Sequence, residues 1–161
     1  MQYHGFFNQM LSTTTAVTWK KARKYAFDNK SINFVKFKKN LYFGFNKYEL
    51  DYGTIKIADS EKAILDLLYL RNDDYTVNLI WEVLLKNKNE FDHKKLSHYA
   101  LKFSTSIIRK IGLIFDELEL PTEELHKAVS GKKSYGKLTK GSREFNSKWR
   151  IYIDRSIIGQ T

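Results

Sequence analysis

The spacing of apolar residues along the chain changes near Asp59. Before this residue, short runs rich in β-branched and aromatic side chains stand between polar stretches, a pattern typical of strands. After it, apolar residues recur at helical spacing, first at Ala63, Ile64 and Leu67 and last near Val129. The pattern therefore predicts an α+β fold with strands in the first third of the chain and helices in the middle.

The first third is predicted to form a small, mostly antiparallel sheet, preceded by a short helix at 3–11. The predicted strands cover residues 16–19, 32–37, 41–50 and 54–57. The last two form a hairpin, because Gly53 can supply the positive φ that a tight turn needs.

Four to five helices are predicted between residues 59 and 130. Their expected limits are a cap at Asp59 or Ser60, a helix at 77–85, a cap at Asp92, a cap at Ser104 or Thr105, and a last helix from Pro121 to Val129 closed by Gly131. Residues 132–147 are predicted to be a loop. A closing strand at 149–153 completes the sheet and turns Trp149, Ile151 and Ile153 inward, so that the sheet packs against the helices.

The predicted organisation is one domain preceded by a short N-terminal segment. Residues 1–12 form that segment, and residues 13–161 form a single domain. Within that domain the sheet covers 16–58, the helices 59–130, and a basic loop and strand 131–161.

The net charge of +10 is concentrated at the two ends of the chain. Residues 1–40 carry +7, residues 41–130 carry −3, and residues 131–161 carry +6. Positive surfaces of this kind attract DNA, RNA or an acidic protein. The competing explanation is a general excess of lysine, which would leave no specific surface.

Several classes of function are excluded or unsupported. The chain has no cysteine, and it lacks the glycine-rich phosphate-binding loops and the G-x-S-x-G elbow. His93 and His98 are five residues apart rather than the four that place two metal ligands on one helix face. No apolar run approaches the length of a membrane span, and no signal peptide begins the chain. We therefore expect a soluble, cytoplasmic, non-enzymatic protein without metal or cofactor.

Basic residues interleaved with aromatic ones mark the candidate binding site. Charges that follow phosphates and rings that stack on bases suit single-stranded nucleic acid. The candidate contacts are Lys20, Lys21, Arg23, Lys24, Lys36, Lys38, Lys132, Lys133, Lys137 and Lys140. The alternative is a solvated basic face whose aromatic residues turn into the core.

Residues 51–69, DYGTIKIADSEKAILDLLY, resemble the AbiEi family of antitoxins. The family element G-x-I-x-[IV]-A-x-x-E-[KR]-A-x-x-D is matched around Gly53, Ala58, Glu61, Lys62 and Asp66. Residues 40–45, 96–100, 109–112 and 134–151 resemble further family segments in the same order. With Asp59 as a helix cap, the matched residues are expected to be structural.

The resemblance implies the antitoxin domain of a type IV toxin–antitoxin and phage-defence system. The functional partner of this family is a nucleotidyltransferase-like toxin, which the antitoxin counteracts without forming a stable complex. Family members begin with a winged helix-turn-helix domain, to which promoter binding and transcriptional autoregulation are attributed. The chain opens instead at the segment that resembles the linker helix, so DNA repression is not expected from it alone.

Two other functions compete with the non-catalytic antitoxin. One is a protein-interaction module of a viral-defence regulator, anchored by exposed aromatic side chains. The other is an enzyme built on Glu61 and Asp66, against the expectation that Asp59 and Glu61 cap a helix and Asp66 braces it.

Overall fold

A computed structural model describes residues 13–21 and 23–158, which form two compact units. Unit 1 ends at Ala58 and unit 2 begins at Asp59, where the apolar spacing changes along the sequence. Unit 1 contains strands and unit 2 contains five α-helices and a small sheet, so the predicted α+β class is confirmed. The linker helix predicted at 3–11 lies outside the described residues.

Unit 1 contains a three-stranded sheet of β1 (Thr13–Thr18), β2 (Lys24–Phe27) and β3 (Lys30–Lys36) in the order β1-β3-β2. β2 pairs antiparallel with β3, whereas β1 pairs parallel with it over six positions. The predicted antiparallel arrangement is therefore wrong for β1. The residues between β1 and β2 are a connection and not a tight turn, which lets β1 lie on the far side of β3.

The hairpin predicted around Asp51 is present as a separate two-stranded sheet. β4 (Phe45–Leu50) pairs antiparallel with β5 (Gly53–Ala58), and Gly53 has a positive φ of 134°. The start predicted for the first strand, residue 41, is wrong. Residues 39–41 form a turn of 3₁₀ helix that buries Leu41, and Gly44, at a φ of 72°, lies outside the β region.

The helices of unit 2 begin at capping residues that the sequence displays. They are α1 (Ser60–Leu70), α2 (Asp74–Lys86), α3 (His93–Ala100), α4 (Thr105–Glu117) and α5 (Glu123–Val129). Asp59, Asp73 and Asp92 each accept a hydrogen bond of 2.9 Å from the backbone N–H three residues later. The cap at Asp73 explains why α2 begins before residue 77, its predicted start.

Helix α4 forms the centre of unit 2, since Ile111, Ile114 and Phe115 on it are completely buried. Helix α5 begins at Glu123 and not at Pro121, after Thr122 as its N-terminal cap. Gly131 follows the helix with a φ of 75°, as predicted for its end.

The segment predicted as a loop from 132 to 147 contains two short strands, β6 (Gly136–Lys137) and β7 (Glu144–Asn146). They flank β8 (Ile151–Ile153) in a sheet of order β6-β8-β7, in which β6 is parallel and β7 antiparallel to β8. The prediction that the C-terminal strand joins the N-terminal strands is therefore wrong. Strands of two or three residues are too short to display an alternating pattern.

Trp149 fixes this C-terminal sheet to helix α4. Its side chain is fully buried, and its indole Nε1 donates a 2.7 Å hydrogen bond to Asp116 Oδ2. The indole ring lies directly against Gly112. A Cβ atom at this position would lie 2.7 Å from Trp149 Cε3 and closer still to two other ring carbons. Glycine is needed at 112 because no larger residue leaves space for the indole.

Substitution of Gly112 by alanine is therefore expected to destabilise the protein. The clash forces the indole away from α4, and overpacking of this kind costs about 1–3 kcal/mol. The higher helix propensity of alanine offsets about 1 kcal/mol of that cost at most. Chemical denaturation of Gly112→Ala measures the difference in unfolding free energy.

The matched control is Gly141→Ala, where an added Cβ would meet nothing closer than Asp74 Oδ2 at 3.9 Å. We expect its unfolding free energy to change by less than about 0.5 kcal/mol. Equal unfolding free energies of the two variants would show that the packing of the Trp149 indole does not require glycine at position 112.

Candidate nucleic-acid interface

A row of aromatic and basic side chains crosses the C-terminal sheet. Lys137 and Phe145 are both in register with Tyr152 on the central strand, so the three side chains share one face. The ring centroids of Phe145 and Tyr152 are 5.1 Å apart, and Tyr135 makes an edge-to-face contact with Tyr152 at 5.7 Å. Lys137 Nζ lies 5.9 Å from the Tyr152 centroid. We call Tyr135, Lys137, Phe145 and Tyr152 the sheet platform.

The sheet platform lies on the outer face of its strands, since their other face is buried; Tyr152 is half-buried, and Tyr135, Lys137 and Phe145 are exposed. Ile151 and Ile153 alternate with Tyr152 and are almost completely buried, which confirms the predicted alternation. Tyr135 retains 66% of its accessible surface and Phe145 retains 45%. Adjacent exposed aromatic rings are unusual on a protein surface that only needs to be hydrated, and they typically mark a binding site.

Two guanidinium groups hold the segment that precedes the platform. Arg150 donates from Nη2 to the Lys133 carbonyl at 2.7 Å and from Nε to the Ser134 carbonyl at 3.3 Å. Arg109 donates from Nη2 to the Lys132 carbonyl at 3.3 Å. Burial, together with the charge of Arg150, lowers the pKa of Arg109. The segment is therefore fixed through its backbone carbonyl groups.

The predicted contacts Lys132, Lys133 and Lys137 lie at or beside the platform. All three are exposed, and in the described part of the chain none forms an ion pair. Lys132 Nζ donates to Thr105 Oγ1 at 3.0 Å. Lys140 is separate from them, because it lines a shallow depression with Asp73 and Asp74 at the start of α2. The platform thus contains one of the four lysines predicted in this region, Lys137, and the segment of Lys132 and Lys133 precedes it.

The six basic residues predicted in unit 1 are all exposed. Lys20, Lys21 and Arg23 lie in the connection from β1 to β2, Lys24 begins β2, Lys36 ends β3, and Lys38 precedes the 3₁₀ turn. The candidate contacts predicted from the sequence leave out Lys39, whose Nζ lies 5.7 Å from the Trp19 ring centroid. Its position close to Lys36 and Lys38 was the signal that the sequence offered. The contact with Trp19 could not be read from the sequence, because the two residues are twenty positions apart.

The acidic residues of α1 are engaged by cationic partners rather than gathered around an open cleft. Glu61 accepts hydrogen bonds from Lys95 Nζ at 2.9 Å and from the Asp92 backbone N–H at 3.1 Å. Lys95 also pairs with Asp59 at 3.1 Å. Burial alone would raise the pKa of Glu61, but these hydrogen bonds hold that pKa below its ordinary value. Glu61 thus joins the start of α1 to the start of α3.

Asp66 pairs with Lys62 inside unit 2, separately from Glu61. Burial raises the pKa of Asp66 to about 6, although the charge of Lys62 opposes the change. The same burial lowers the pKa of Lys62. The two carboxylates suggested for an enzyme therefore have different partners, an arrangement that favours the structural role expected for them.

Neither a metal site nor a membrane span is found in the described residues. Across 13–21 and 23–158, no three His, Asp or Glu side chains are placed to hold a metal ion. No helix in this part of the chain has the length and apolar character needed to cross a bilayer.

Comparisons with known proteins identify no relative. The chain matches no protein-family model, no curated protein and no solved structure.

The interaction between Glu61 and Lys95 predicts a pH-dependent contribution to stability. We expect Glu61→Gln to lower the unfolding free energy at neutral pH by about 1–3 kcal/mol, because a charge-assisted hydrogen bond is removed within a buried site. A carboxyl whose pKa is lowered on folding stabilises the protein above its unfolded pKa of 4.5. The deficit of the variant should therefore shrink as the pH falls below 4.5, because wild-type Glu61 is then protonated in the folded protein too.

Chemical denaturation of the wild type and Glu61→Gln from neutral pH downwards measures the difference between their unfolding free energies. Asp66 titrates in both proteins, so its contribution largely cancels in this difference. The matched control is Glu82→Gln, because Glu82 pairs with Lys86 on the exposed surface of α2. That substitution should have a much smaller effect, because an ion pair on the exposed surface contributes little to stability. A deficit for Glu61→Gln that does not change with pH would contradict the assigned ionisation.

Proposed function

We propose that this chain binds single-stranded nucleic acid through the sheet platform and that it acts by binding rather than by catalysis. The observation that carries the proposal is the row of Lys137, Tyr152 and Phe145 across three paired strands, extended by Tyr135, in which Tyr152 is half-buried and the other three side chains are exposed. Aromatic rings on an open sheet can stack on bases, while neighbouring ammonium groups follow the phosphates.

The platform suits unpaired bases better than a duplex. Bases in a duplex are stacked on each other and expose only their edges, so rings such as Tyr135 and Phe145 would find no open base face. The positive charge on the three strands is small, since Lys137 is their one basic residue. Glu144, their one acidic residue, is paired with Arg155 at 3.2 Å. Stacking would then supply much of the affinity, and binding would be tolerant of sequence.

An antitoxin role fits this proposal. The resemblance of residues 51–69 to the AbiEi family implies an antitoxin that counteracts a nucleotidyltransferase-like toxin. Binding of an RNA or DNA strand would let the protein oppose such a toxin without a stable protein complex. Such a protein would act in the cytoplasm, the compartment expected from the sequence.

Removal of Tyr135 should weaken binding of a uridine oligonucleotide. Stacking on one base is worth about 1–3 kcal/mol, so Tyr135→Ala should raise Kd by about 5- to 150-fold. Lys137→Ala should reduce the slope of log Kd against log salt by about 0.7, because one phosphate is no longer neutralised. Fluorescence anisotropy of a labelled oligonucleotide at several salt concentrations measures both effects.

The matched controls remove similar groups away from the sheet. Tyr75 on α2 is 61% exposed, and Lys127 on α5 is exposed as well. Tyr75→Ala and Lys127→Ala should leave the affinity and the salt slope unchanged. The sheet platform is not the binding site if Tyr75→Ala weakens binding as much as Tyr135→Ala does.

A protein-interaction role is the second candidate, and the hairpin of β4 and β5 favours it. Tyr52 at its turn is fully exposed, and Leu50 and Ile55 beside it are exposed too. Exposed apolar residues at a hairpin tip can anchor a protein partner.

Co-expression with a nucleotidyltransferase-like toxin, the functional partner that the AbiEi resemblance implies, distinguishes the two roles. We expect the toxin not to co-purify in high salt, and we expect Tyr135→Ala to reduce protection of the cells. Co-purification that Tyr52→Ala abolishes would favour the interaction module and would contradict the nucleic-acid role.

A further inference from the structure

We propose that unit 1 carries a second contact for single-stranded nucleic acid, centred on Trp19 and separate from the sheet platform. The inference rests on the proposed function and extends it to a second surface. Three observations support it: a cationic environment around an exposed indole, an excess of positive charge in unit 1, and a strand arrangement that repeats that of the C-terminal sheet.

Trp19 follows β1 and keeps 41% of its surface accessible. Lys20 Nζ lies 5.3 Å from the ring centroid and Lys39 Nζ lies 5.7 Å from it. Both lysines are exposed, and neither forms an ion pair within the described residues. An exposed indole with two ammonium groups offers a stacking surface and two phosphate contacts at one place. We call Trp19, Lys20 and Lys39 the tryptophan site.

The net charge of unit 1 selects an anionic ligand. Residues 1–58 hold ten Lys and Arg against three Asp and Glu, a net charge of +7, whereas residues 59–161 carry +3. Asp28 is the one acidic residue before the hairpin of β4 and β5. A protein partner would need many acidic side chains and also groups that pack against the exposed indole ring. Each nucleotide of a polynucleotide supplies both, because its phosphate is negatively charged and its base can stack on the ring.

The sheet of β1, β2 and β3 repeats the topology of the C-terminal sheet. In each, the third strand along the chain lies in the centre, parallel to the first and antiparallel to the second. In each, aromatic residues on the second and third strands are in contact, here Tyr25 and Phe34 with centroids 5.7 Å apart. Strand alternation places Lys36 on the same face as Phe34. The strand order that carries the sheet platform therefore recurs in unit 1, where Trp19 directly follows the first strand.

Tryptophan fluorescence of the full chain tests the tryptophan site directly. Trp81 and Trp149 are 3% and 0% exposed, so Trp19 is the tryptophan that a ligand can reach in the described structure. A uridine oligonucleotide of about eight nucleotides should quench the emission as it binds. In Trp19→Phe the quenching should disappear. An unchanged quench in Trp19→Phe, or no quench in wild-type protein that binds the oligonucleotide by anisotropy, would overturn the proposal.

Charge variants test the two lysines. Lys20→Ala combined with Lys39→Ala should reduce the salt slope of the quenching curve by about 0.7 for each phosphate that the variant no longer neutralises. The matched control replaces Lys30 and Lys47, two exposed lysines of unit 1 outside the tryptophan site, and removes the same charge. Equal slopes for the two double variants would show a general charge effect and would overturn the proposal.

The two surfaces can fail independently. The tryptophan site stands alone if Tyr135→Ala leaves total binding unchanged while the quenching of Trp19 remains. Only the sheet platform stands if Tyr135→Ala weakens binding and the oligonucleotide leaves Trp19 emission unchanged. Absence of binding by both anisotropy and quenching would overturn both.

Discussion

The packing of Trp149 against Gly112 is the constraint on which the C-terminal part of the molecule depends. A sheet of eight residues in three strands cannot be stable alone, because too few backbone hydrogen bonds offset its loss of conformational entropy. The indole supplies the missing stabilisation by close contact with α4 and a hydrogen bond to Asp116. One face of the sheet is thereby committed to the core, and Phe145 on the other face is left exposed.

The charged side chains are divided in the same way between the buried interior and the exposed surface. In unit 2, the buried carboxylate of Glu61 has an internal partner in Lys95. Lys110 is nearly enclosed, and burial lowers its pKa to about 8 while its amine donates to Asn72. Buried charges that have such partners cost less to desolvate and are not available to ligands. The unpaired lysines lie on exposed surfaces, where they can meet a polyanion.

The sequence predicted those features that depend on neighbouring residues. Asp59 and Asp92 identified helix starts because a cap acts within one turn. The parallel pairing of β1 with β3 was missed, since a strand carries no local mark of its partner. The platform was anticipated only as basic residues interleaved with aromatic ones. Two of its rings, Phe145 and Tyr152, come together through the pairing of strands too short to be predicted.

Two aromatic surfaces on one chain have a thermodynamic consequence if both bind the same class of ligand. Each has few unpaired charges near its rings, so neither alone should bind tightly at physiological salt. Because the two weak binding surfaces are on one chain, a long strand that engages both binds with higher affinity than it would to either alone. The affinity for a strand too short to reach both surfaces stays unchanged. The protein would then discriminate by the length of unpaired strand rather than by base sequence. Such selectivity needs no deep pocket, which agrees with the open face that carries Tyr135 and Phe145.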